Sequence, residues 1–381
     1  MAGGGTLLLT GATGLVGGEL YRKLLTTRPK LRCVIFSRRP DTAGAQFRDT
    51  PALVVRADLI EPELGLSRST RRWLQAEVTE IFHCAADTRF GLPLEEARAV
   101  NTHGTAGLLD LARACPRLQK FAYVSTVYVA GQARGAFPEA PCCHDRGFSN
   151  TYQQSKYEAE QLVVRAMAGI PAIILRLSTI ICASATGRVQ QFNYIHQLLK
   201  LLPHGHHLPV LPCARLARAD FIPADWASAA LAYLFEFGFV PGRIYQVCAG
   251  PRASLPMTEL IDLTLHIYAS HPAARRWQPI TLPRQVDWET WDNYVKRALP
   301  RADIILRELL RVLSQFAGHL ALVQTFENRQ TLTALSGSGV KLPPIRDCYE
   351  RMVRYCLETN WGRSIPQHEQ QLKEQANPQS I

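Results

Sequence analysis

Tyr152 and Lys156, in the stretch YQQSK, are the two side chains whose types and spacing most directly suggest chemistry. They stand four residues apart at the head of a predicted helix, and so share one face about one turn apart. An ammonium at that distance favours a phenolate and is expected to draw the phenol from its reference pKa of about 10 toward working pH. Tyr152 could then give a proton to a nascent alkoxide and be recharged. Upstream, YVSTVYVAG ends an apolar run with Ser125 and Thr126, hydroxyls able to hold a substrate oxygen beside the tyrosine. A Tyr-x-x-x-Lys pair alone is commonly a surface pair. Its weight here comes from following a glycine turn and a hydroxyl-ended strand in that order.

The glycine turn is TGATGLVG, Thr10 to Gly17. Gly11, Gly14 and Gly17 fall where a first strand turns into a first helix, with Thr13, Leu15 and Val16 completing the stretch assigned to a cofactor. Glycine permits the turn, lets the backbone approach a pyrophosphate at the helix N-terminus, and allows helix to pack closely on strand. The expected cofactor is a dinucleotide. At the end of the second strand an NAD enzyme would offer a carboxylate to the ribose 2′-hydroxyl, whereas this chain offers Ser37, Arg38 and Arg39. Two guanidinium groups suit a 2′-phosphate, which points to NADPH. Asp58 and Leu59, in ADL after the third strand, are expected at the adenine edge.

Those residues require a particular frame. Apolar runs predict strands near Thr6 to Thr10, Leu31 to Ser37, Ala52 to Arg56, Glu80 to Ala85, Lys120 to Ser125, Ala172 to Leu177 and Arg243 to Ala249. Helical spacing falls at Leu15 to Thr27, Ser69 to Gln75, Thr102 to Ala114 and Thr151 to Ala168. The alternation predicts an α/β fold, a Rossmann-like doubly wound parallel sheet. Past residue 183 the pattern breaks, and from Trp288 it is nearly all helical, with Ile305, Leu309, Val312, Phe316 and Leu320 at helical spacing. The expected organisation is a dinucleotide-binding domain with the Tyr/Lys helix (1–183), a smaller substrate-binding region interleaved with the last strands (184–285), a helical C-terminal cap (286–366) and a polar tail (367–381).

Composition agrees with a folded enzyme of this size. Of 381 residues, 47% are hydrophobic and 20% charged, which excludes collagenous, disordered and small disulfide-stapled classes. Lys and Arg number 43 against 32 Asp and Glu, a formal charge of +11 that should draw anionic partners. Charge alone leaves phosphorylated cofactors and carriers, acidic proteins, nucleic acid and anionic lipid open; with the motifs, a phosphorylated cofactor or carrier is the expected partner and nucleic acid is not. The ten cysteines include no CxxC pair, and no leader resembles a signal peptide, so a cytoplasmic protein with reduced thiols is expected. The apolar run Trp226 to Val240 is too short for a membrane span and reads as a buried helix. HGHH (204–207) with Cys213 lacks the spacing of a metal site, and no metal is expected. Cys142 and Cys143 have no activating base and read as loop thiols. Arg307 and Arg311, accompanied by Asp303 and Glu308, read as the outer face of a packed helix.

Residues 6 to 250 resemble the extended short-chain dehydrogenases/reductases. FHCAADTRF, VNTHGTAGLLDLA, YVSTVYVAG, YQQSKYEAEQLV, ILRLSTIICASATG and FIPADWASAAL together resemble their thioester reductase and fatty acyl-CoA reductase branch. The resemblance implies that the strand end carrying Ala85 and Ala86 lines the cofactor and that Asn101 begins the helix behind it. It also implies NADPH-dependent reduction of an acyl thioester on CoA or an acyl carrier protein, with Thr126, Tyr152 and Lys156 catalytic. Leu177 and Cys182 stand where the branch usually has proline and glycine. A hydroxysteroid dehydrogenase or nucleotide-sugar epimerase would share the same triad, and a non-catalytic NADP sensor the same fold. Residues 184–220 are the expected carrier side: Arg188, Lys200, Arg215 and Arg218 face one acid, Asp220, and Phe192, Ile195, Leu198 and Leu199 either line an acyl tunnel or pack.

Overall fold

Short apolar runs form seven parallel strands: β1 (Thr6–Thr10), β2 (Arg32–Ser37), β3 (Ala52–Arg56), β4 (Val78–His83), β5 (Lys120–Thr126), β6 (Ala172–Leu177) and β7 (Ile244–Val247). This is a computed structural model, and it describes residues 5–201, 209–276 and 283–364. The strands lie in the order β7-β6-β5-β4-β1-β2-β3. β1, β4 and β6 are buried along their whole length, as expected of strands covered on both faces. The order reverses between β1 and β4, and in such sheets ligands bind beyond the carboxyl ends at that switch. Register brings those ends level. Thr10 stands opposite Phe36 and His83, His83 opposite Tyr123, and Ser125 opposite Arg176.

The helices that matter to the site are α1 (Leu15–Thr27), α2 (Arg68–Glu77), α3 (Gly104–Arg113), α4 (Thr151–Ala166) and α5 (Ala224–Glu236). Leu8, Val34, Ile81, Leu108, Phe121, Val163 and Ile174 form one continuous core between sheet and helices. The expected bounds of β1, β3, β6 and α1 coincide with the observed ones. β4 starts two residues early and stops at His83, because the chain beyond it is held by side chains rather than by a neighbouring strand. The helix expected from Thr102 opens instead with a π-helical turn, Ala99–His103. The run from Trp226 forms the buried helix α5, and among the described residues no helix is long and apolar enough to cross a membrane.

The chain divides into two compact units, and neither is contiguous. The first holds Met1–Ile180, Ala224–Arg252 and Gln324–Lys341; the second holds Ile181–Pro223, Ala253–Val323 and Leu342–Ile381. Sequence reading drew boundaries only between consecutive stretches. In the first unit, strand Gln324–Phe326 pairs in parallel with Gly135–Phe137. Glu139 secures this return: its carboxylate accepts the backbone N–H of Gln246 (3.0 Å), of Thr331 (2.9 Å) and of Gln330. In the second unit, Val210, Leu211, Trp291, Leu309, Leu310, Leu313 and Ala317 form the core. The helix Ile304–Leu320 thus packs by one face, while Arg311 and Glu308 pair at 2.6 Å on its outside. Ile305, expected inward, is 38% exposed. The side chain of Phe316, the HGHH stretch and the polar tail lie outside the described residues.

Replacing Glu139 by alanine removes the acceptor for two buried N–H groups and one half-buried one. Each charge-assisted bond contributes about 1.5 to 3 kcal/mol, so Glu139→Ala should lower stability by at least about 3 kcal/mol. A urea midpoint unchanged from wild type would contradict this role.

Candidate active site

Gly11 has φ +74°, and a Cβ there would stand 2.6 Å from the Ala85 nitrogen. A Cβ on Gly17 would overlap the Gly11 carbonyl oxygen, so α1 starts flush against the end of β1. Gly14 caps α1 without a side chain, and no acid occupies the first turn. The first N–H groups of α1 are therefore left to a ligand, at the positive end of the helix. Thr13 and Gly14 are exposed, Leu15 and Val16 half-buried. This cradle, closed to a Cβ at Gly11 and Gly17 and opening on the N–H groups at the head of α1, fits a pyrophosphate.

Behind it, polar residues that end β1 and β4 form a directed chain. The Ala85 N–H donates to Thr10 Oγ1 (3.1 Å), which lies 2.8 Å from His83 Nδ1. His83 Nε2 lies 3.0 Å from Thr105 Oγ1, whose own proton goes to the Asn101 carbonyl at 2.6 Å. Thr105 must then accept from Nε2–H, which leaves Nδ1 to accept the Thr10 hydroxyl proton. Burial, and secondarily the Lys156 charge, push His83 down to about 3, so it stays neutral. Asn101 sits buried in the π-helical turn rather than at the start of α3. Its Oδ1 accepts the Asp87 N–H (2.8 Å), and its Nδ2 donates to the Asp87 carbonyl (2.9 Å) and to Ser155 Oγ (3.0 Å). The half-buried Ala85 and Ala86 are thus held between two clamps.

Arg38 and Arg39 are exposed beyond β2, and the Arg39 N–H donates to Ser37 Oγ at 3.1 Å. Asp58 Oδ1 accepts the Ile60 N–H at 3.2 Å, shaping its own turn. Leu59 packs on the first turn of α3, where a Cβ on Gly104 would come within 2.7 Å of it.

The reactive face is on α4. Asn150 caps it by accepting the Gln153 N–H (3.0 Å), and Gln153 Oε1 accepts the Ser149 N–H (3.0 Å), a reciprocal cap that fixes where the helix begins. Lys156 is buried, donates to the Val124 carbonyl at 2.7 Å and lies 4.1 Å above the Tyr123 ring. Burial lowers its pKa to about 7, against the opposing pull of Cys84 and Glu160. Tyr152 stacks on Phe90 at 5.5 Å and keeps part of its surface open. Desolvation nevertheless raises its phenol to about 12, with a hydrogen bond to Thr126 acting the other way. The expected lowering by Lys156 is not found: burial dominates the shift of the phenol. At neutral pH Tyr152 is protonated. Thr126 Oγ1 accepts the Tyr128 N–H at 3.2 Å, and its hydrogen bond with Tyr152 sets the two hydroxyls side by side.

Ser125 departs from expectation. Its Oγ donates to Glu160 Oε2 at 2.6 Å, and the residue is buried, so its single proton does not face a substrate. Glu160 in turn pairs with buried Arg176 at 2.6 Å. Sequence reading missed Glu160, Arg176 and Thr105. Signals existed: Glu160 continues the four-residue spacing of Tyr152 and Lys156, and Arg176 interrupts an otherwise apolar strand. Burial pushes the Cys142 thiol up to about 11, far from a nucleophile, while Cys143 is exposed. In the second unit Arg188 and Arg215 are exposed, but Arg218 is engaged by the Ser254 hydroxyl and carbonyl. Leu199 is buried and Leu198 packs against that unit's core, while Phe192 precedes the helix Tyr194–Leu201. Among the described residues no group of three or more His, Cys, Asp and Glu is placed to hold a metal ion.

The chain is similar to several known proteins. A family model described as Male sterility protein matches residues 9–231. Isonitrile lipopeptide synthase of Streptomyces coeruleorubidus is 31% identical over 394 aligned residues, covering 93% of this chain and 24% of that protein. Fatty acyl-CoA reductase 1 of Gallus gallus is 34% identical over 146 residues, covering 33% of this chain and 28% of that protein. The chain spans a minor share of these curated relatives. The solved terminal R domain from the myxalamid PKS-NRPS biosynthetic pathway is 26% identical with a TM-score of 0.76, covering 96% of this chain and 94% of that one. Since the matched stretch takes in both the glycine turn and the tyrosine–lysine helix, this chain belongs to the Male sterility protein family of NAD(P)-binding extended short-chain dehydrogenases/reductases.

Proposed function

We propose that this chain reduces an acyl thioester, carried on CoA or an acyl carrier protein, to an aldehyde at the expense of NADPH. One observation carries the reading. Tyr152 is held protonated by burial and hydrogen-bonded to Thr126, at the carboxyl ends of a sheet whose glycine turn fits a pyrophosphate. Its full-length likeness to a terminal R domain and its partial likeness to a fatty acyl-CoA reductase support the thioester as substrate class.

When bound, the dinucleotide supplies the hydride. The chain's residues supply position and the proton. Gly11, Gly14 and Gly17 with the N-terminus of α1 seat the pyrophosphate, and Arg38, Arg39 and Ser37 receive the 2′-phosphate. Asp58 and Leu59 border the adenine, while Ala85 and Ala86 line the cofactor in front of Asn101. Lys156 orients the ribose from behind the tyrosine. Thr126 and Tyr152 donate hydrogen bonds to the thioester carbonyl oxygen, and as negative charge grows there the Tyr152 proton moves onto it. Collapse of the tetrahedral adduct breaks the carbon–sulfur bond and returns the thiol. Thioester, NADPH and one proton thus give aldehyde, thiol and NADP⁺. A second reduction would give the alcohol.

The decisive measurement is NADPH oxidation with acyl thioesters of varied chain length, the product trapped as a hydrazone. Aldehyde is expected. Turnover of none of them, or tightly retained NAD with interconversion of nucleotide sugars, would overturn the proposal. Tyr152→Phe keeps the ring and removes the proton, and should lower kcat by about 10² to 10⁴ with NADPH affinity retained. For the cofactor, Arg38→Asp with Arg39→Ser should weaken NADPH about ten- to a hundredfold more than NADH, since a charge-assisted phosphate contact is lost. Equal loss for both dinucleotides would remove the 2′-phosphate assignment.

A further inference from the structure

A buried ion pair is a costly way to hold a fold together, because two charges must leave water before they attract. Glu160 and Arg176 are both fully enclosed, and neither has a role in the proton transfer proposed above. Glu160 Oε2 accepts from Ser125 Oγ (2.6 Å) and from Arg176 Nε (3.1 Å), while Oε1 accepts from the Arg176 guanidinium at 2.6 Å. The same guanidinium donates to the Ala140 carbonyl at 2.9 Å, which anchors it from its far side. Ser125 and Arg176 are register partners on β5 and β6. One carboxylate on α4 is therefore held by two adjacent strands at the same rung.

That rung lies between the two reactive contacts. Along β5, the Val124 carbonyl takes Lys156, Ser125 takes Glu160, and Thr126 takes Tyr152. Three consecutive strand residues thus meet three side chains spaced four apart on one helix face. The outer two contacts are single hydrogen bonds that a small slide or roll of the helix would lose. The middle one is a charged, three-cornered junction that such a slide would leave as an unpaired buried charge.

We infer that Glu160, gripped by Ser125 and Arg176, is a positioning residue that fixes the slide and roll of α4 against the end of β5 and thereby delivers Tyr152 and Lys156 to Thr126 and Val124. The inference rests on the assignment of Tyr152 and Lys156 as the reactive pair. It also gives Ser125 a role in the junction instead of one against the substrate.

The test uses the full chain and four variants: Glu160→Gln, Ser125→Ala, Ser125→Thr, and Glu160→Met combined with Arg176→Met. Each is read by kcat and KM for the thioester, by NADPH affinity from fluorescence, by melting temperature, and by hydrogen exchange of the segment 120–131. Misplacing reacting groups by about 1 Å can cost 10²-fold. Glu160→Gln, which keeps shape and loses charge, is expected to lower kcat about ten- to a hundredfold with KM and NADPH affinity within about threefold. Ser125→Ala should fall in the same direction and speed exchange in 120–131, and Ser125→Thr, which restores the hydroxyl, should recover both. The double methionine variant removes both charges together, a change that often preserves folding, so a normal melting temperature with low kcat separates positioning from stability.

Wild-type kcat in the double variant overturns the inference, as does a Glu160→Gln loss that tracks melting temperature alone, with KM rising and NADPH affinity falling in step. If the double variant does not fold, the Ser125 pair decides: alanine indistinguishable from threonine in kcat and exchange overturns it. If the wild type turns over no thioester, the functional reading fails separately, and exchange of 120–131 still decides whether Glu160 fixes the strand end.

Discussion

Exclusion of water from the face of α4 that meets β5 sets the protonation of both Tyr152 and Lys156. It lowers Lys156 to about 7 and raises Tyr152 to about 12, so two groups whose ordinary values of 10.5 and 10.0 nearly coincide are driven apart. A phenol that high gives its proton only to a strongly basic oxygen, such as the one that develops when a carbonyl is reduced. A reductant's acid has no need of a phenolate at rest. The lysine is held over the Tyr123 ring, with one hydrogen bond already committed to a strand carbonyl.

The dinucleotide half obeys a different constraint, that of close approach. With Gly11 against Ala85 and Gly17 against Gly11, no side chain fits between β1, β4 and α1. Thr10, His83 and Thr105 then supply the polar partners that a tight junction of backbone would otherwise lack. Because each proton in that chain has one direction, the geometry is determined without any ionised group, and the histidine stays neutral over the physiological range. The backbone of residues 85 to 87 is rigid by construction, and the turn it faces inherits that rigidity.

Much of this was legible in order and type of residue. Buried parallel strands read as unbroken apolar runs, which is why β1, β3, β6 and α1 come out with their bounds intact. The glycine turn and the Tyr/Lys pair are local patterns whose spacing alone states the geometry. What escaped were facts of tertiary contact. Ser125 and Thr126 are adjacent hydroxyls that look interchangeable in sequence, but alternation along β5 sends one to Glu160 and the other to Tyr152. The phenol's shift had the wrong sign because the lysine's charge is visible in sequence and the extent of desolvation is not. Arg218, one of four basic residues with similar surroundings in the chain, meets Ser254 only through folding. The return of residues 324–341 to the first unit leaves no mark on hydropathy at all.

That return has a consequence for how the protein is made. The polypeptide passes between its two units five times, at 180/181, 223/224, 252/253, 323/324 and 341/342. Glu139 emerges from the ribosome 191 residues ahead of Gln330. Until then a carboxylate destined for burial must stay hydrated, and the edge beside β7 stays uncovered. The first unit therefore cannot mature in the order of its synthesis, and contacts of such long range are slow to close. During that interval the exposed sheet margin is the part of the nascent molecule with most to gain from a chaperone.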